Sequence, residues 1–261
     1  MIKKDYILIT GSSGLIGDYI SKSLLELNYN LILVDINSSK LTKQKKRLIF
    51  KSKKSKVIFF KKDISKEKSI ISLLNFIKQK KINVFSLINL ATIDSPPSKK
   101  KTGEKYISTR SWDKELSVGL TGSYLMIKHF GELMYKKGFG RIINFGSDLS
   151  VISPNQDFYK KSYSNYYKPV SYSVIKHGLV GMTKYFASLY ADKHVTCNMV
   201  SPGPVLNDQS ISLISDIKKN TPMKRLANPK DLIGIIRFLI SKDSRFITGQ
   251  NILVDGGKTL I

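Results

Sequence analysis

The chain has 261 residues and carries 44 Lys and Arg against 19 Asp and Glu, a formal net charge of +25. An apolar fraction of 41% supports a sizeable core and excludes wholesale disorder. The lone cysteine, Cys197, excludes an intrachain disulfide and a cysteine-cluster metal site, no metal is expected, and no run of 18 apolar residues is present to span a membrane.

Short apolar runs alternate with amphipathic stretches along the whole chain. Tyr6–Thr10 (YILIT) predicts a first strand. Its brief apolar stretch meets a glycine turn rather than a cleavage site, so no signal peptide is expected and the expected compartment is the cytoplasm. A helix follows over Gly14–Asn28, then a strand at Leu31–Asp35 (LILVD). The segment Lys40–Lys62 holds 11 basic residues in 23 and straddles a predicted helix and the third strand, Val57–Phe60. Of the 44 basic residues, 38 are Lys and 6 are Arg, beside 32 Ile, 14 Asn and 4 Ala. That mixture reads as AT-rich codon usage on a solvated surface. A nucleic-acid groove favours Arg and interleaved aromatics, so neither nucleic acid nor a membrane is an expected partner.

The fourth strand is predicted at Val84–Leu90 (VFSLINL), a helix around Trp112–Lys137, and the fifth strand at Arg141–Phe145 (RIINF). A long helix follows from about Val170 to Ala191, then a strand at Val195–Val200, a helix at Pro229–Ser241 and a last strand at Asn251–Val254. Continuous β-branched runs without strict alternation indicate strands buried on both faces. The expected fold is α/β: a single-domain, Rossmann-type doubly wound sheet over residues 1–261, with about seven parallel strands and helices on both faces. Two long irregular stretches stand out, Thr92–Arg110 and Asp148–Pro169, and long loops in compact domains tend to carry function.

Thr10-Gly-Ser-Ser-Gly-Leu-Ile-Gly17 directly follows the first strand and opens a helix. Gly11 permits a tight turn with positive φ, Gly14 lets a pyrophosphate approach the backbone, and Gly17 lets the helix pack close to the sheet. Free N–H groups and the positive dipole end of the helix then face the phosphates, with Gly11, Ser13, Gly14, Leu15, Ile16 and Gly17 forming the cradle. Asp35 ends the second strand 18 residues after Gly17. A carboxylate there accepts both ribose hydroxyls and repels a 2′-phosphate, which favours NAD over NADP; the competing role for Asp35 is capping the Asn37–Ser39 segment.

Tyr172 and Lys176 stand four residues apart on a predicted helix and share a face. Tyr124 and Lys128 have the same spacing, so spacing does not choose between them; context does. Ser147 ends the strand before the second pair, at the carboxyl edge where α/β sheets bind ligands. Tyr124 is expected to pack and Lys128 to be solvated. A neighbouring ammonium favours the phenolate of a tyrosine, which then takes the proton of an alcohol as hydride leaves for the cofactor; Ser147 orients the same oxygen and Lys176 also holds the nicotinamide ribose.

With these motifs the sequence resembles the short-chain dehydrogenase/reductase family over nearly its whole length. The resemblance implies an NAD(P)-dependent oxidoreductase with catalytic Ser147, Tyr172 and Lys176. It implies that Asp63 and Ile64 in KKDIS lie at the adenine and that Asn89 and Ala91 in INLAT belong to the family's Asn-Asn-Ala-Gly turn. It also places Pro202 and Gly203 of NMVSPGP near the nicotinamide, and TGQNILVDGG as the usual tail. It suggests a homotetramer or homodimer acting on a small molecule. Three departures stand out. The turn reads Asn89-Leu-Ala-Thr92. Gly119 replaces a fourth catalytic residue, an Asn, leaving only a backbone carbonyl there to hold a relay water. Asn207 replaces a Thr that often contacts the carboxamide.

The insert at residues 148–169 begins beside Ser147 and ends beside the helix of Tyr172, so it is expected to serve as a substrate loop or lid. Its Lys160, Lys161 and Lys168 suit an anionic or polyhydroxylated substrate, and the overall look is similar to short-chain oxidoreductases of surface-sugar biosynthesis. The leading expectation is NAD-dependent oxidation of a secondary alcohol or reduction of a ketone, on a sugar derivative by this likeness. The alternatives are a 3-oxoacyl-carrier-protein reductase, which usually takes NADPH, and a non-catalytic dinucleotide sensor or scaffold.

Overall fold

The computed structural model describes residues 5–51, 54–93, 106–163 and 166–261. Residues 94–105 of the first irregular stretch and 164–165 of the insert lie outside the described residues.

All seven expected strands form: β1 (Asp5–Thr10), β2 (Asn30–Asp35), β3 (Val57–Lys61), β4 (Asn83–Asn89), β5 (Gly140–Phe145), β6 (Val195–Pro202) and β7 (Asn251–Val254). They make one parallel sheet in the order β3-β2-β1-β4-β5-β6-β7. Side chains alternate between two cores. Tyr6, Leu8, Ile32, Val34, Leu87 and Ile142 face one way, and Ile7, Ile9, Leu31, Leu33, Ile88 and Ile143 the other. Burial on both faces explains the unbroken apolar runs.

The helices are α1 (Leu15–Glu26), α2 (Ser38–Lys51), α3 (Glu67–Gln79), α4 (Thr109–Leu116), α5 (Ser123–Met126), α6 (Glu132–Lys137), α7 (Gln156–Ser162), α8 (Val170–Tyr190), α9 (Ile211–Lys219) and α10 (Ile233–Ile240). The helix expected around Trp112–Lys137 is one run, α4 to α6, joined by π-helical turns at Ser117–Gly122 and Ile127–Gly131. The run ends on Gly138 at φ 73°. The expected Pro229–Ser241 helix opens as a 3₁₀ turn, where Asn228 and Asp231 form a capping box, before α10.

α1, α2 and α10 cover one face of the sheet; α3, α5, α6 and α8 cover the other. Each fully buried Ile, Leu or Phe of these helices contributes about 1.5–3 kcal/mol by leaving water. α3 was legible yet unassigned from sequence: Ile70, Leu73, Leu74 and Ile77 are buried at i, i+3, i+4, i+7 spacing.

The stretch Asp148–Pro169 corrects the expectation of an irregular loop. It holds a 3₁₀ turn at Asp148–Ser150 and the helix α7, capped by Asn155. α7 packs on α9: Phe158, Tyr159 and Tyr163 lie against Leu213, Ile217 and Leu226. The Tyr163 hydroxyl accepts the Ser210 amide at 2.8 Å, and Ser212 donates to Ser162 at 3.0 Å. A seven-residue helix is marginal alone and forms here because α9 supplies the partner face.

Candidate active site

The chain leaves β3 and returns beside β1 as β4, so the strand order reverses between β1 and β4. Above the carboxyl ends at that switch lies a cleft of about 1570 Å³. Pockets for single small ligands run to about 300–1,000 Å³, so there is room for a dinucleotide and a substrate together.

One end is built by backbone. Gly11 has φ +63°, and a Cβ there would lie 2.8 Å from Ala91 Cα. A Cβ on Gly17 would lie 2.3 Å from the Gly11 carbonyl oxygen, so only glycine lets α1 start this close to β1. No side chain caps α1, which leaves the first-turn N–H groups for the cleft. Asp35 clamps the turn: one oxygen accepts the Ser13 amide at 3.0 Å and the other the Asn37 amide at 2.9 Å. The cap of α2 is Asn37, which accepts from the Lys40 amide at 3.0 Å. The Ser13 hydroxyl is buried without a hydrogen-bond partner among the described residues. An orphaned hydroxyl beside uncapped helix amides fits a phosphate acceptor. Gly11, Ser13, Gly14, Leu15, Ile16, Gly17, Asp35, Asp63, Ile64, Ala91, Pro202 and Gly203 all line the cleft.

Asn89 does not. It is buried in β4, where its amide donates to the Asn144 side chain at 3.0 Å, and Asn144 donates in turn to Thr183 at 2.9 Å. Its pleat position turns it into the polar seam between β4, β5 and α8 rather than toward the cleft.

The other end is built by side chains. Ser147 follows β5 and caps the 3₁₀ turn, its oxygen accepting the Leu149 amide at 3.2 Å while its hydroxyl donates to Asp148 Oδ1 at 2.7 Å. Asp148 is buried and its Oδ2 pairs with Lys258 from the C-terminal segment. Tyr172 and Lys176 stand on α8. The buried Lys176 donates to the Phe145 carbonyl at 2.9 Å, and its Nζ lies 5.4 Å from the Tyr172 ring centre. The buried Lys168 puts a second ammonium 3.9 Å from that ring centre. Its backbone is pinned to α7, with Lys168 N donating to Gln156 Oε1 at 2.9 Å and Gln156 Nε2 donating to the Lys168 carbonyl at 3.1 Å. Ser147, Asp148, Lys168, Tyr172, Lys176 and Lys258 line the same cleft as the glycine turn.

Lys160 and Lys161 do not reach it. They pair with Asp157 at 3.1 Å and Asp216 at 3.8 Å. Tyr124 packs on Phe186, and Lys128 pairs with Glu67 at 2.8 Å on the surface, away from the cleft. That pair holds the Glu67 carboxyl below its ordinary range and the Lys128 ammonium above its own.

Gly119 is buried in the first π turn. A Cβ there would lie 2.9 Å from Ile175 Cγ2 and 3.3 Å from Thr92 Oγ1, so the space for an asparagine side chain is occupied. Its carbonyl already accepts the Ser123 hydroxyl at 2.9 Å. The Ile175 side chain and the Thr92 hydroxyl thus occupy the space beside Gly119. Asp148 and Lys258 were not singled out as site groups by their sequence patterns, whereas Lys168, one of the three insert lysines expected at the substrate, lines the cleft. Asp148 and Lys258 are 110 residues apart, and no local pattern joins them.

A family model described as Enoyl-(Acyl carrier protein) reductase matches residues 11–259, nearly the whole chain. The chain belongs to the short-chain dehydrogenase/reductase family. It is 30% identical to the 3-oxoacyl-(acyl-carrier-protein) reductase FabG of Buchnera aphidicola subsp. Schizaphis graminum over 260 residues, covering 98% of each chain. It is 26% identical to the post-translational flagellin modification protein A of Campylobacter coli, covering 98% of this chain and 99% of that one. A solved short chain dehydrogenase from Leptospira borgpetersenii with bound NAD+ is 30% identical and superposes with a TM-score of 0.83, covering 98% of this chain and 93% of that chain. Like its family, this short-chain dehydrogenase/reductase is an NAD(P)-dependent oxidoreductase acting on alcohol and ketone groups. Among the described residues, no helix is long and apolar enough to cross a membrane.

Proposed function

We propose that this enzyme interconverts a secondary alcohol and a ketone on a small polar molecule, a sugar derivative being the favoured class, with NAD preferred over NADP. One observation carries the reading: Tyr172, with the buried Lys176 beside it, shares a single cleft with Ser147 and with the glycine turn. When bound, the nicotinamide cofactor supplies the hydride acceptor or donor. Tyr172 takes the proton of the substrate alcohol in one direction and returns it in the other. Lys176, fixed on the Phe145 carbonyl, stabilises the negative charge that develops on the Tyr172 oxygen. Ser147 hydrogen-bonds the reacting oxygen and sets its position.

The cofactor is held by Gly11, Ser13, Gly14, Leu15, Ile16 and Gly17 at the phosphates, and by Asp35, Asp63, Ile64, Ala91, Pro202 and Gly203 along the cleft. Asp35 supports NAD because its carboxylate is held in place by two backbone amides and stays close to any 2′-phosphate. The segment at 148–169 forms the substrate wall and closes as a lid. Asn155, Tyr159 and Tyr163 offer polar groups along it, and Lys168 offers charge beside Tyr172. We assign the enzyme to the cytoplasm as a homodimer or homotetramer, which size-exclusion chromatography with light scattering tests.

The deciding experiment is NADH absorbance across a panel of sugars, sugar phosphates, nucleotide-sugars and acyl ketones. Turnover of a sugar derivative with NAD is expected. Turnover confined to acyl thioester ketones with NADPH would instead establish the second reading, a 3-oxoacyl-carrier-protein reductase, which the 30% identity to FabG favours.

A further inference from the structure

Ser147 carries one hydroxyl proton, and that proton is committed: it points to Asp148 Oδ1 at 2.7 Å. One lone pair of the same oxygen receives the Leu149 amide. To donate to a substrate oxygen, the hydroxyl must turn away from Asp148. How tightly Asp148 retains it depends on the negative charge left on that carboxylate. Asp148 is 3% exposed, so water screens little of that charge. Its second oxygen is paired with Lys258 Nζ.

The fold fixes Lys258 in that place. Gly203 N donates to the Val254 carbonyl at 3.0 Å, and a Cβ on Gly203 would lie 2.8 Å from Asp255 Cα, so the segment after β7 packs tightly on the end of β6. The Asp255 side chain accepts the Gly257 amide at 2.9 Å, and the Thr259 amide and hydroxyl at 2.9 and 2.7 Å. Gly257 at φ +82° then opens the 3₁₀ turn Lys258–Leu260. Lys258 projects from the first residue of that turn into the cleft wall, with its side chain 14% exposed.

We propose that Lys258 is a positioning residue for Ser147, acting through Asp148. By neutralising Asp148 it weakens the hold of that carboxylate on the serine proton, so Ser147 is aimed in the resting site yet released to an entering substrate oxygen. The proposal rests on Ser147 being the group that meets the substrate, so its test is one that requires no substrate.

Ser147→Cys puts a thiol in place of the hydroxyl. Cys197, the other cysteine, is fully buried, and burial pushes its thiol far above the ordinary range, so it stays silent to alkylation. The rate of iodoacetamide alkylation is measured against pH in Ser147→Cys and in the same background with Lys258→Met, Lys258→Arg, Asp148→Asn, or Asp148→Asn with Lys258→Met. Binding of NADH, read by fluorescence, checks that each variant is folded. Lys258→Met leaves an unneutralised carboxylate beside the thiol and is expected to raise its apparent pKa by about one unit, a roughly tenfold slower reaction at a fixed pH below it. Lys258→Arg is expected to react like the parent, and adding Asp148→Asn to Lys258→Met is expected to restore the rate. Should Lys258→Met fail to fold, Asp148→Asn alone is expected to lower the thiol pKa. A profile unmoved by both Lys258→Met and Asp148→Asn would overturn the proposal. Failure of the substrate panel with this coupling intact would overturn the proposed reaction and leave the Lys258 role standing.

Discussion

The two ends of the cleft are made in different ways. At the glycine turn, function is carried by backbone: a positive φ at Gly11, a missing Cβ at Gly17, uncapped amides at the start of α1 and one carboxylate, Asp35, bracing them. At Ser147 and Tyr172 it is carried by side chains from four separate places: the end of β5, the insert, α8 and the C-terminal turn. The first kind of site tolerates almost no change of residue but serves any substrate. The second is assembled from long-range pairs, which can be exchanged one at a time without touching the cofactor. That division suits a family in which one cofactor serves many alcohols.

Substitutions that strike one end and spare the other sharpen the contrast. The largest effect on cofactor binding is expected from Gly17→Val, whose Cβ would enter the space 2.3 Å from the Gly11 oxygen. Overpacking of this kind costs about 1–3 kcal/mol, so NADH affinity in a fluorescence titration should fall roughly ten- to a hundredfold, and turnover with it. An affinity within twofold of the parent would mean that the turn yields more readily than its contacts indicate.

Replacing α7 by a short Gly-Ser linker should act at the other end. KM for the panel substrate is expected to rise at least about tenfold, because the wall that orders the substrate is gone, with NADH affinity within about twofold. Full activity in this variant would reduce the insert to a surface feature.

Asp35→Ser removes the carboxylate and should narrow the preference for NAD, by about tenfold in the ratio of the two affinities. NADP affinity unchanged by this substitution would remove Asp35 from the choice of cofactor.

The smallest effect is expected far from both ends. Arg225 and the Asn228 amide hold the Asp231 carboxyl below its ordinary value. A depressed carboxyl pKa contributes stability that is present above the unfolded value and lost as pH falls through the folded value. Asp231→Asn should therefore lower Tm slightly at neutral pH, solvent screening keeping the change small, with the difference closing under acid conditions and cofactor affinity unmoved. A gap in Tm that widened on acidification would reverse the sign of this argument.

The same division explains what the sequence could show. Central strands buried on both faces leave unbroken apolar runs, the partly buried edge strands β3 and β7 keep shorter ones, and the glycine turn is local enough to be seen whole. Tyr172 was separable from Tyr124 because Ser147 stands at the end of a strand, where the sheet opens, whereas Tyr124 lies within a helix that packs on Phe186. The helix α7 gave no periodic signal because its apolar face is only Phe158 and Tyr159, continued by Tyr163 just past its end, among Gln, Asp, Lys and Ser, and that face packs on α9. Asn89 carries the family's residue but is drawn into a hydrogen-bonded seam with Asn144 and Thr183, a partnership across three elements. The Asp148–Lys258 pair joins residues 110 positions apart, and its meaning emerges only when both are seen beside Ser147.

The most direct measurement of the central claim compares Tyr172→Phe with Tyr124→Phe, each assayed for turnover on the panel substrate and for NADH binding by fluorescence. Tyr172→Phe removes the proton-transferring hydroxyl at the substrate end and is expected to cut turnover by at least about a hundredfold while NADH affinity stays within about twofold. Tyr124→Phe is expected to leave both quantities near those of the parent. Equal loss of turnover in the two variants, or near-parental turnover in Tyr172→Phe, would contradict the assignment of the chemistry to Tyr172.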